Sequence, residues 1–165
     1  MTPVEKRSQG RVLLPAALDR LAPDDEHQRY ARYRRVLTRV LPEHESDMIS
    51  AVLGDPDKAM AQAAVVGHID RQAAILLTEP GFHDWARAVA QTIGEREFVA
   101  RRLREWALLR SISTGEEWTA DQVRGASDWF QRKAVEIATS PTVLTLLADQ
   151  GRTRRVRAAA ARRNR

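Results

Sequence analysis

The chain has 165 residues, a length that suits one domain with one sizeable core. Hydrophobic residues make up 43% and charged residues 30%, which is ordinary globular usage; cysteine is absent, which excludes a disulfide scaffold, a cysteine nucleophile and a thiolate metal site and fits a cytoplasmic protein. The net charge of +5 is lopsided: residues 152–165 carry seven arginines and no acid, whereas residues 1–151 carry 20 basic and 22 acidic side chains, an asymmetry that points to an anionic partner at one end.

Residues 1–12 are polar and basic and are expected to be disordered, ahead of a single all-helical domain over 13–163. The early apolar run is too short for a signal peptide, and no run approaches the roughly 18 residues of a membrane span. Pro15 opens a short helix through Leu21. A strong helix follows from Pro23, whose first turn holds Asp24, Asp25 and Glu26, where acids complement the helix dipole. Its apolar face is Tyr30, Tyr33, Val36, Leu37, Val40 and Leu41, with Arg32, Arg35 and Arg39 on the opposite side. A short helix spans 45–53. The next starts at Asp55, Pro56 and Asp57, with Asp55 as expected cap, and runs to Leu77 with a bend or break near Gly67.

The stretch "EPGF" is a turn, residues 82–93 a helix, and Gly94 its stop. Residues 95–112 form a long helix with Val99, Leu103 and Trp106 on one stripe. After the loop "STGEEW", Thr119 and Gln122 form a capping box for one helix reaching about Thr139. Ser140, Pro141 and Gly151 bound another helix, and the remainder forms a final arginine-rich helix with a frayed tip. No alternating strand pattern appears. The expected fold is therefore all-α, with about seven to nine helices in stacked hairpins or a compact bundle.

Residues 48–64 and 142–160 share a plan: an apolar helix ends in Val52-Leu53 or Leu146-Leu147. An aspartate follows (Asp55 or Asp149), then a turn, then Met60 or Val156 ahead of paired alanines. "LLTEPGFHDWARAVA" is a fainter third copy. This plan resembles the HEAT-type helical repeat, in which a hairpin carries a D-P-D turn, a Val-Arg pair and alanines. Asp55-Pro56-Asp57 match the turn, Val156-Arg157 the pair, and Ala158 to Ala161 the alanines. Ala61 stands where that family has arginine, and Gln150-Gly151 replaces its Pro-Asp. The resemblance implies a curved stack of hairpins that binds a partner, an expectation drawn from fold-level analogy.

Arg152, Arg154, Arg155, Arg157, Arg162, Arg163 and Arg165 are the candidate contacts to an anionic surface, with Arg32, Arg35 and Arg39 as an extension if they lie near. On a helix, Thr153, Val156, Ala159 and Ala160 share the inner side. A helix-turn-helix reading of "LTLLADQGRTRRVRAAAARR" lacks the usual residues across the turn. Of the tryptophans, Trp106 and Trp129 fall in core patterns, Trp118 resembles a staple partner of Val123, and Trp85 suits core or surface. The histidines His27, His44, His68 and His83 have no metal-ligand spacing. No metal site, cofactor motif, nucleophile elbow or phosphate loop is present. The expected function is a non-enzymatic interaction or adaptor module that binds a protein partner through one face. The alternative is a nucleic-acid-binding accessory protein that uses the same basic helix.

Overall fold

The computed structural model describes residues 26–165. The expected disordered residues 1–12 and the helix from Pro15 to Leu21 lie outside the described residues. Within them the chain is all-helical: α1 Glu26–Arg39, a 3-10 turn Pro42–His44, α2 Glu45–Leu53, α3 Lys58–Leu76, α4 Phe82–Ile93, α5 Glu97–Thr114, α6 Ala120–Gly125, α7 Asp128–Ile137, α8 Pro141–Gln150 and α9 Arg154–Arg163. None of these helices is long and apolar enough to cross a membrane.

Three expectations are corrected. Asp57, not Asp55, caps α3: its carboxylate accepts from Met60 N–H at 3.0 Å. Gly67 does not break α3, which runs unbroken through it; one glycine costs a helix only about 1 kcal/mol, too little against a buried stripe. The helix expected from Thr119 to Thr139 is two helices. Ala126 and Ser127 are extended between them, and Ser127 caps α7 by accepting from Phe130 N–H at 3.2 Å. The Thr119–Gln122 capping box of α6 is reciprocal, as its sequence reads. Gly94 and Gly115 close α4 and α5 at φ of 58° and 75°, where a side chain would be strained.

The first five helices form two layers. Helix α3 packs between α1 and α5, α2 packs on α4, and the layers meet where α2 lies on α3 and α4 on α5. The last helices form a second group, with α9 packed on α8 and α7. One core runs through both groups, from Leu37 and Ile49 through Val65, Phe82 and Trp106 to Phe130, Leu147 and Val156. The groups are joined at α5. Trp106 meets Trp129 edge-on at 5.5 Å, and Arg102 stacks over Trp129 at 3.7 Å. The Asp70 carboxylate accepts from both Arg102 (2.6 Å) and Trp106 Nε1 (2.8 Å). Buried Glu105 accepts Ser127 N–H at 2.9 Å, which anchors the α6–α7 break to α5.

The hairpins α2–α3 and α8–α9 share three local features. A glycine, Gly54 or Gly151, closes the first helix; a cap, Asp57 or Thr153, accepts from the amide three residues on; and the pairs Met60/Ala64 and Val156/Ala160 are buried. The aspartates are not equivalent. Asp149 lies inside α8, whereas Asp55 is a buried turn residue bonded to Tyr33 Oη at 2.6 Å. The fainter third copy covers the α3–α4 connection, where α4 packs mainly on α2 and α5.

Candidate anionic-partner interface on the C-terminal helices

The basic end of the chain is folded. Thr153 caps α9 by accepting from Val156 N–H at 3.1 Å, and Val156 and Ala160 bury one side of the helix. Small residues let α9 approach α8 closely. Gly151 sits at the pinch: a Cβ there would stand 2.5 Å from the Leu147 carbonyl oxygen and 2.7 Å from Val156 Cγ1. The turn is fixed from below by Gln131, fully buried on α7. Its amide nitrogen donates to the Val123 carbonyl at 3.0 Å, and its oxygen accepts Arg152 N–H at 2.8 Å.

The seven C-terminal arginines divide into two sets. Arg152, Arg157 and Arg163 are turned back onto the protein. Arg152 donates to the Ala126 carbonyl at 3.0 Å and pairs with Asp128 at 3.5 Å. Arg157 donates to the Gly151 carbonyl, and Arg163 donates to the carbonyls of Val135 and Glu136 at the C-terminal end of α7, where a cation suits the dipole. Arg154, Arg155, Arg162 and Arg165 are exposed and make no hydrogen bond or ion pair within the described residues. The tip is held as well: Asn164 Nδ2 donates to Thr145 Oγ1 at 2.9 Å.

One residue joins this face that the sequence did not single out. Arg132, exposed on α7, lines a groove of about 370 Å³ with Val135, Glu136, Arg155, Val156, Ala159, Arg162 and Arg163. The α7–α9 packing that brings Arg132 to the cluster is a tertiary fact with no local signature. Arg32, Arg35 and Arg39 are not part of it. They lie on α1, which packs on α2 and α3, in the other helix group. A second, wider cleft of about 770 Å³ between α5 and the α6–α7 break has Arg101, Arg104 and Arg152 facing Glu105, Asp121 and Asp128, so its charges balance.

The tryptophans and His68 serve the interior, whereas His27 and His83 are exposed. Trp106 is 1% exposed; Trp85, Trp118 and Trp129 are half-buried against the core. The one face of Trp129 covered by Arg102 is closed to a stacking base. His68, buried on α3, and Trp85 Nε1 both bond Glu45, at 2.6 and 3.0 Å. No set of three His, Asp or Glu side chains able to hold a metal ion occurs among the described residues. Comparison with family models, curated proteins and solved structures finds no match for the chain.

Proposed function

We propose that this chain is a non-enzymatic helical interaction module that holds an acidic segment of a partner protein against the exposed arginines of α9 and α7. The observation that carries this reading is the division of the arginines. Three are used to fasten α9 in place, while Arg154, Arg155 and Arg162, joined by Arg132, are left exposed on a helix that the core has fixed. The helix that carries them is already ordered, so binding orders only their side chains, and guanidinium groups match carboxylates two bonds at a time. Hairpins of the α2–α3 and α8–α9 kind support the adaptor reading through the HEAT-like plan, in which stacked hairpins present binding surfaces.

A second reading keeps the same face and changes the partner. The charge of +7 over residues 152–165 also suits the phosphates of a nucleic acid. Fluorescence anisotropy separates the two. A labelled peptide of repeating Glu-Glu-Leu and a labelled duplex DNA are titrated with the chain and with Arg155→Glu/Arg162→Glu. The adaptor reading expects the peptide to bind, with loss in the variant. Tight DNA binding with a steep salt dependence supports the second reading instead. No binding of either probe at low salt contradicts both.

A further inference from the structure

Building on that proposed face, we infer that the groove between α7 and α9 takes an acidic peptide segment that seats one apolar side chain on its floor and sets carboxylates on its arginine rim. The surface between the arginines is apolar. Arg132, Arg155, Arg162 and Arg163 ring the groove, but its floor is Val135, Val156 and Ala159. A rim of guanidinium groups alone would serve any polyanion. An apolar floor is wasted on a phosphodiester backbone and is desolvated usefully only by a carbon side chain.

Size and charge point the same way. A space of about 370 Å³ holds one or two side chains and not a folded domain. The groove exists because Ala159, half-buried in the run Ala158 to Ala161, has no side chain long enough to fill it. Four guanidinium groups face one carboxylate, Glu136, and that carboxylate is already paired with Lys133 at 2.9 Å. Arg163 is fixed by two backbone carbonyls of α7, so part of the rim is set before the partner arrives. An apolar anchor ringed by arginines is the arrangement that concentrates binding energy in protein interfaces.

The test uses the intact chain and two labelled peptides of about 12 residues, one repeating Glu-Glu-Leu and one with serine for each leucine, at about 100 mM salt, where the Debye length is about 10 Å. The charges are equal, so only the anchor differs. The leucine peptide is expected to bind about tenfold more tightly, a modest part of what burying a leucine contributes. Ala159→Phe, which fills the groove without changing charge, should erase that difference and leave the serine peptide unaffected. If Ala159→Phe does not fold, as circular dichroism will show, the two-peptide comparison on the native chain still decides. Equal affinity for the two peptides overturns the inference while leaving the arginine face standing. Duplex DNA binding more tightly than the leucine peptide overturns it in favour of phosphate. Failure of all three probes removes the arginine face as well.

Discussion

Gln131 shows how one buried side chain positions the basic helix. It spans from the end of α6 to the first residue of the α9 turn and has no solvent to fall back on. Gln131→Ala leaves the Val123 carbonyl and the Arg152 amide without their partner, so a loss of about 1–3 kcal/mol is expected in denaturant unfolding. Tyr33 and Asp55 make the corresponding buried bond in the first helix group. Burial pushes the Asp55 carboxyl up, but the Tyr33 hydroxyl, the Asp57 amide and the charges of Arg29 and Lys58 outweigh it and hold it below the usual carboxylate range. Glu45 is likewise held low: burial raises it, and His68 and Trp85 more than reverse that. A lowered carboxylate stabilises the fold above its ordinary pKa, and that stability drains as pH falls through the ordinary value toward the folded one. The melting temperature should therefore drop steeply below about pH 4. Tyr33→Phe should cost about 1.5–3 kcal/mol at neutral pH and make the acid drop shallower.

At the scale of elements, two glycines predict opposite signs. Gly67 sits inside α3 with room for a Cβ, its nearest neighbour being the Arg71 guanidinium at 3.8 Å. Gly67→Ala should stabilise by about 0.5–1 kcal/mol. At Gly151 a Cβ would collide with the Leu147 carbonyl and Val156, so Gly151→Ala should destabilise by about 1–3 kcal/mol. Thermal melting of the two variants, one rising and one falling, checks both. The helices were legible because caps and apolar periodicity agree in them: Thr119 with Gln122, Pro141 after Ser140, Val99 with Leu103 and Trp106. Where they conflict the reading failed. Gly125-Ala126-Ser127 is a turn signal set inside an apolar period, and what settles it in favour of a break is Glu105, 22 residues away, accepting the Ser127 amide. The Asp55 error is similar in kind. Either aspartate suits a cap by type, and Tyr33 on another helix takes the Asp55 side chain.

For the whole molecule, charge asymmetry was visible in the sequence and the grouping of arginines that makes up the proposed interface was not. Composition located seven arginines at one end, but only the folded chain separates Arg157 and Arg163, spent on backbone carbonyls, from Arg155 and Arg162, which face outward. It also recruits Arg132 from α7 and leaves Arg32, Arg35 and Arg39 in the other helix group. These placements come from packing between elements far apart in sequence, which local patterns do not encode. The two sets of arginines should respond differently to mutation. Arg157→Ala/Arg163→Ala removes bonds that fasten α9 and should lower stability by about 1 kcal/mol or more. Arg155→Glu/Arg162→Glu touches no such bond and should leave the melting temperature nearly unchanged. The most direct test is the affinity of that second variant, shown folded by circular dichroism, for the labelled Glu-Glu-Leu peptide at about 50 mM salt, where surface charge is weakly screened. A loss of about tenfold or more relative to the native chain is predicted. An unchanged affinity would contradict the assignment of the exposed arginines as the binding face.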